Sequence, residues 1–314
     1  MPDMILALII GYGLDLALGD PEWLYHPVCI IGRFISFMEK KLRAKGGDLR
    51  KSAVMLTAST VLVSAAAAAG IIIIAGLLGR WPRLICMALL DWMGIAVTSM
   101  AKEARGVKRA LGESVEAGRK QVARIVGRDT QELSEEEIVK ATVETVSENT
   151  TDGVISPLIY AALGGPVLLW AFKAASTLDS MVGYLEEKYR DIGWSSAKLD
   201  DVLNYVPARI TALLMCAAAY LTGLDGKNAL RIVRRDHANH LSPNCAWSEA
   251  AAAGALHIRL GGTHTYFGKT VVKPTIGDAD RPAVPEDITK ANRLLYATGF
   301  LAVAVIALAG LIIG

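Results

Sequence analysis

The sequence predicts an all-α protein, a polytopic membrane helix bundle with broken or re-entrant helices and helical cytoplasmic loops. Three observations predict it. First, 53% of the 314 residues are hydrophobic and the mean hydropathy is +0.37, whereas soluble domains reach about 45–50% apolar only when glycine is counted. Second, the excess gathers into apolar blocks separated by charged stretches, as helices in a bilayer do. Third, lysine and arginine are distributed unevenly among the connections between those blocks. Net charge is only +2, so no global field exists to attract nucleic acid.

The chain is expected to form one integral membrane domain over 1–314. Strong spans are expected at 4–18, 54–79, 84–101 and 294–314, each near the roughly 20 apolar residues that cross a bilayer. The first has only Asp3 before it and no basic leader, so it reads as a retained helix and not a cleaved signal. Two weaker blocks, 154–176 and 206–224, are interrupted by Pro157, Gly164-Gly165-Pro166, Lys173 and Arg209. Broken helices are tolerated at membrane depth where protein surrounds them, so these two are possible non-crossing helices, giving four spans, and six if both cross. Seven basic residues lie in 19–53, nine in 102–153 and ten in 225–293, against two in 80–83 and three in 177–205. Basic residues favour the cytoplasm, which places the loops 19–53, 102–153 and 225–293 inside and both termini outside. Asp91, in the third strong block, is costly unless it faces the bundle interior.

The polar stretches follow in order. Ser134-Glu135-Glu136-Glu137 is a capping box opening a helix to about Asn149. Glu144 and Glu148 share one face of it. Asn149 and Asp152 follow where it is expected to end, a set of hard oxygen donors suited to Mg²⁺ or merely a solvated acidic helix end. Lys173, Thr177, Asp179, Ser180 and Tyr184 form a second cluster. Asp200, Asp201, Asn204 and Arg209 form a third, readable as a metal and phosphate site or as an N-cap with its partner arginine. His237 and His240 have a spacing zinc can use, but no third ligand is in register. A short helix is expected near Trp247–Leu256, followed by a tail rich in glycine and proline. Within that tail GTHTYFGKT, 262–270, has five residues where a P-loop needs four, so it is not one. The four cysteines, Cys29, Cys86, Cys216 and Cys245, show no disulfide or zinc spacing.

Taken in order, these stretches resemble the cobinamide-phosphate synthases of cobalamin biosynthesis, the CbiB/CobD family. The matching residues are Gly19-Asp20-Pro21 with His26-Pro27-Val28; Val126-Gly127-Arg128-Asp129-Thr130; Glu144 with Ser147 to Gly153; Thr177 to Met181 with Tyr184; Asp200 to Asn204 with Arg209; and Ser242-Pro243-Asn244, Glu249, Gly261-Gly262 and Tyr266. At Cys245-Ala246 the family pattern has small residues including a glycine, and this sequence departs by having no glycine there. The resemblance implies an acid–amine carbon–nitrogen ligase. Its substrates are the corrin adenosylcobyric acid and aminopropanol or its O-phosphate, with Mg²⁺ and ATP as cofactors. It also implies a site facing the cytoplasm, the lipid bilayer as a partner, and a place beside other cobalamin-assembly membrane enzymes. On that reading Glu144, Glu148, Asn149, Asp152, Asp179, Asp200 and Asp201 form the catalytic set, with Glu148, Asp152 and Asp201 on the metal. Arg128, Lys173, Arg209 and Arg235 are the cations for phosphate, and Tyr184, Asn244, Trp247 and Tyr266 contact substrate. The rival class is a transporter or channel using the intramembrane Asp91, Lys173 and Arg209. The hydropathy blocks predict that the protein stays in the membrane pellet after a carbonate wash; recovery in the soluble fraction contradicts the membrane assignment.

Overall fold

Helices here are set by apolar length first and by capping second. The computed structural model describes residues 2–313 except Glu22, Leu185 and Phe267, and the backbone but not the side chains of His264, Tyr266, Lys269 and Ile313. In chain order the elements are α1 (Pro2–Leu18), α2 (Pro27–Lys45), α3 (Leu49–Leu77), α4 (Arg80–Gly94), α5 (Val97–Leu111), α6 (Val115–Val122) and α7 (Glu135–Asn149). A π-helical turn, Thr150–Ile155, leads into α8 (Ser156–Val182). There follow α9 (Trp194–Leu221), α10 (Gly226–Asp236), α11 (Cys245–Leu256), β1 (Leu260–Tyr266), β2 (Lys269–Ile276) and α12 (Glu286–Ile313).

Five helical stretches are long and apolar enough to cross a membrane: Leu49–Leu77, Arg80–Leu111, Glu135–Val182, Trp194–Leu221 and Glu286–Ile312. Only 17% of the most apolar stretch of α3 is buried in protein. Leu62, Ile73, Ile74 and Leu77 on α3, and Phe300, Leu308 and Leu311 on α12, are exposed. A water-soluble protein rarely leaves so continuous an apolar surface uncovered; a bilayer covers it. The mostly helical architecture is that of a polytopic membrane bundle.

The structure adds three local features. The third block, 84–101, lies within the helical stretch Arg80–Leu111, which is broken where the chain is extended at Ile95 between α4 and α5. The α-helix opened by Ser134 ends at Asn149 as expected, and the chain continues without a break through the π turn into α8. Asn149 and Asp152 therefore sit at an irregularity inside a continuous helix, where no helix-terminal dipole opposes them. The tail after α11 is not irregular: β1 and β2 pair antiparallel from Leu260↔Ile276 to Tyr266↔Lys269, with a bulge between Gly261 and Thr263. Thr263 and Thr265 on β1 and Thr270, Val271 and Val272 on β2 supply the β-branched residues a strand favours. The GTHTYFGKT stretch is thus a hairpin, which agrees with its rejection as a P-loop.

The chain packs as two units, Met1–Ala96 with Ser156–Asn204 and Val303–Gly314, and Val97–Ile155 with Tyr205–Ala302. In the first, α1 packs on α4, and α3 packs on α4 and α8. Asp91 is fully buried in this interior, on the side the sequence required. The buried indoles of Trp92 and Trp170 donate to the carbonyls of Gly19 (3.0 Å) and Leu90 (3.1 Å). The two ends of α3 are marked by different neighbours. Arg80 beside its C-terminus pairs with Asp3 at 2.7 Å. Near its N-terminus Arg43 donates to the Lys188 carbonyl (2.6 Å) and Arg50 meets Asp191 (3.3 Å). A 29-residue helix is about 43 Å long, so the 183–193 turn lies at the opposite end of α3 from Asp3. In the second unit α10 packs on α11, and α7 packs on α5, α6 and α11.

α8 is interrupted where the sequence suggested. Gly164 and Gly165 have non-helical backbone, Gly165 with φ +64°, and Pro166 follows. A Cβ at Gly165 would lie 3.2 Å from Met4 Cγ in a left-handed conformation, which costs an L-residue about 1–2 kcal/mol. Gly165→Ala is expected to lower the melting temperature of the purified protein. Gly13→Ala, with nothing within 4 Å of the added methyl, leaves it unchanged or slightly raised. Equal melting of the two variants contradicts this placement of the break.

Candidate functional site

The second unit holds a polar cavity of about 180 Å³ lined by Arg128, Glu144, Glu148, Asn149, His240, Glu249 and Lys273, with backbone from Gly127 and Gly261. Helix periodicity supplies its floor. Glu144 and Glu148 are one turn apart on α7, and the capping box fixes the start of that helix: Ser134 Oγ accepts from Glu137 N–H (3.3 Å) and Glu137 accepts from Ser134 N–H (2.8 Å). The 123–134 connection brings Arg128 over Glu144, where the two form an ion pair with side chains about 8% exposed. The other Glu144 oxygen accepts the Gly261 N–H at 2.8 Å. That bond attaches β1 to α7. Asp129 clamps the hairpin further along, donating its N–H to the Thr265 carbonyl and accepting from Gly268 N–H, both at 2.8 Å.

The opposite wall is α11. Its first residue, Cys245, donates from Sγ to Glu148 Oε1 at 3.2 Å. This is where the sequence lacks the expected glycine, and the thiol acts as a buried donor. Burial pushes the Cys245 thiol well up, and the charges of Glu148, Glu249 and Asp152 push the same way, so it remains a thiol. One turn on, Glu249 is 5% exposed. Burial first, then the charges of Glu144 and Glu148, hold its carboxyl well above the ordinary glutamate value of 4.5, while Lys273 and Arg128 oppose the shift. Such a carboxyl is protonated near neutrality and able to exchange that proton. His240, half-buried, is lowered by burial and by Lys273; it stays neutral, and its Nδ1 accepts from Ser242 N–H at 3.0 Å.

Of the residues singled out from sequence, Arg128, Glu144, Glu148 and Asn149 come together here. Asn149 directs its amide to the Thr145 carbonyl at 2.9 Å. Asp152 lies within electrostatic reach of Cys245. Asn244 precedes α11, its N–H bonded to Ser242 Oγ at 3.2 Å. Arg209 and Trp247 form a neighbouring stack, with the guanidinium 4.7 Å from the Trp247 ring and 3.4 Å from the Tyr205 ring. His237 closes the stack at 4.4 Å from Trp247, so it is not a partner of His240 on a metal. Arg235 is not among the cavity-lining residues; it binds Asp236 (2.7 Å) and Asp278 (2.6 Å) on the exposed face of α10. Tyr266 is on β1, and its side chain lies outside the described residues.

Lys173, Asp179, Tyr184, Asp200 and Asp201 belong to the first unit. There Asp200 accepts from Asn204 (3.0 Å), which in turn accepts from Ser156 (2.6 Å). Asp201 meets Lys198 at 3.5 Å, and Tyr184 donates to the Ser180 carbonyl at 2.8 Å. His26 sits 3.9 Å from Asp20; burial, aided by the Lys173 charge, keeps it below its ordinary value. Among the described residues, no three His, Cys, Asp or Glu side chains converge to hold a metal unaided. The residues missing from the sequence-derived site are Glu249, Lys273 and His240. Glu249 stood in the matching stretches without a role, and nothing local marked Lys273, because its place depends on the hairpin.

Comparison with known proteins agrees with this order of stretches. Residues 8–295 match the CobD/Cbib protein family. The chain is 45% identical over 302 residues to the cobalamin biosynthesis protein CobD of Listeria monocytogenes, covering 95% of this chain and 96% of that one. It is 50% identical over 303 residues to CobD of Pelobacter propionicus, covering 96% and 94%. It is 46% identical over 305 residues to the cobalamin biosynthesis protein CbiB of Salmonella choleraesuis, covering 96% of each. No solved structure matches.

A carboxyl that keeps its proton only in the folded state stabilises fully below its unfolded value and loses that contribution as pH rises through its folded value. The wild-type melting temperature should therefore fall as pH rises above the ordinary glutamate value of 4.5. Glu249→Gln should flatten that slope and raise stability at the alkaline end. Parallel curves for the two proteins contradict a protonated Glu249.

Proposed function

The chain belongs to the CobD/CbiB family of cobalamin biosynthesis proteins, and from that premise we propose that it joins the carboxylate of adenosylcobyric acid to the amine of aminopropanol or its O-phosphate. The product is adenosylcobinamide or its phosphate, and the reaction is an ATP-dependent acid–amine ligation. The observation that carries this reading is the cavity's charge arrangement: two cations, Arg128 and Lys273, face three glutamates, one of them a buried, protonated acid.

The chemistry needs that arrangement. A carboxylate is a poor acyl donor and must be activated, most simply as an acyl phosphate. ATP supplies the phosphoryl group. Arg128 and Lys273 are the cations that would hold the negative charge on phosphate oxygens. Mg²⁺ that arrives with phosphates keeps several waters and takes only one or two carboxylates. Glu148 and Asp152 fit that need, and the absence of a three-ligand cluster among the described residues is compatible with it. Attack by the amine on the activated carbonyl forms the C–N bond and releases phosphate, and the attacking nitrogen must shed a proton. Glu249, charged by losing its proton to solvent or substrate, is the carboxylate we assign as acceptor.

Size limits what enters. A cavity of about 180 Å³ is smaller than the roughly 300–1,000 Å³ of drug-sized ligand pockets. It suits a phosphate or the aminopropanol headgroup and excludes the corrin macrocycle. The ring is left to a wider surface, for which the Arg209–Trp247 stack offers a flat face. Lys188 and Asp191 lie beside Arg43 and Arg50, which supports a cytoplasmic location for that connection.

Purified protein given adenosylcobyric acid, ATP, Mg²⁺ and either amine should yield a product of the amide's mass, and none without ATP. Glu249→Gln should lower turnover about 10²-fold or more, and Asp152→Asn should lower it far more than it lowers protein abundance. No amide product from folded wild-type protein with either amine overturns the ligase reading.

A further inference from the structure

Four residues separate the end of α9 from the start of α10, which begins packed against the last turns of α9. Gly226 makes this possible: a Cβ there would sit 2.5 Å from the Tyr220 ring and 2.6 Å from the Cys216 carbonyl oxygen. The turn is fastened twice. Asp225 caps α10 by accepting from Asn228 N–H at 2.8 Å. Arg293, at the start of the apolar part of α12, donates to the Thr222 carbonyl at 2.8 Å. The α9 terminus and the entry of α12 therefore lie at one level, where two membrane helices meet the headgroup region.

The faces of α10 are sharply divided. Ala229, Ile232 and Val233 are buried and α10 packs on α11. Lys227, Arg231, Arg234 and Arg235 are exposed on the other side, at i, i+4, i+7 and i+8, which is one face of a helix. Two of the four are tied down: Arg231 and Arg235 both bind Asp278, and Arg235 also binds Asp236. Lys227 and Arg234 have no ion pair among the described residues. Arg234 carries its charge within electrostatic reach of Cys216, in the last two turns of α9. Tyr220 and Leu221 beside it are 63% and 68% exposed, an aromatic and an aliphatic side chain at the edge of a span, as found at bilayer interfaces.

We propose that the basic face of α10 binds the phosphates of anionic phospholipid headgroups and holds α10 against the membrane surface. The cations run along about 12 Å of a convex helix and do not converge on a point, so they match an array of headgroups and not a single soluble polyphosphate. Asp225 and Asp278 are acids near them; Asp225 is engaged by His257 at 3.2 Å and the half-buried Asp278 by the two arginines. The inference rests on the membrane helices and not on the reaction in the cavity.

The test uses the full chain reconstituted in equimolar phosphatidylglycerol and phosphatidylcholine, with retained lipid measured by mass spectrometry after mild extraction. Wild-type protein should retain phosphatidylglycerol preferentially. Lys227→Gln with Arg234→Gln, which leaves both Asp278 ion pairs intact, should reduce that preference on the order of tenfold. The charge-keeping pair Lys227→Arg with Arg234→Lys should restore it. An unchanged preference in the glutamine pair, no preference in wild type, or stoichiometric displacement of the lipid by inorganic pyrophosphate overturns the proposal.

Discussion

Arg128 and Glu144 bind each other with both side chains almost sealed from solvent, and the candidate site is built around that pair. Removing two charges from water is expensive, and the attraction between them repays it only when the remaining hydrogen-bonding capacity is met. The Gly261 N–H meets part of it at 2.8 Å. One ion pair thereby fixes three segments distant in sequence: the 123–134 connection, α7 and β1. It also sets the local field. With Glu144 and Glu148 held on α7 and Glu249 facing them from α11, like charges crowd a buried volume. Glu249 responds by keeping its proton, while Lys273 from β2 keeps the remaining negative charge tolerable. Breaking the pair by removing one partner would cost about 3–5 kcal/mol and release the hairpin together with the charge balance.

The bilayer is the second constraint. It explains why α3 and α12 expose leucine, isoleucine and phenylalanine. It explains too why ionisable groups within the helices, such as Asp91, turn inward. Polar chemistry is thereby kept off the surfaces that face lipid. The π turn at Thr150–Ile155 is a helix irregularity, and it carries Asp152 beside the carboxylates of α7. The proposed ligation needs a wet, charged cavity, and in this fold such a cavity sits where α7, α11 and the hairpin meet.

What sequence alone made legible was local. The capping box at Ser134 requires only residues 134–137, and both of its hydrogen bonds are present. The Gly164-Gly165-Pro166 break is likewise a matter of adjacent backbone. Glu144 and Glu148 share a face because of helical spacing. Glu249 and Lys273 were not legible as site residues. The burial of one and the approach of the other depend on how α11 and the hairpin fold back over α7, more than 100 residues away. The hairpin itself was hidden because glycine and proline interrupt its threonines and valines. Nor was it legible that Arg235 pairs with Asp278, 43 residues on.

The most direct test of this arrangement is a double-variant cycle on the rate of amide formation, comparing Arg128→Gln, Glu144→Gln and the two combined. If the pair acts as one unit, each single variant loses most of the rate and the combined variant is no slower than the worse single. Near-wild-type rates in either single variant, or losses that multiply in the combined one, would contradict the claim that this ion pair assembles the site.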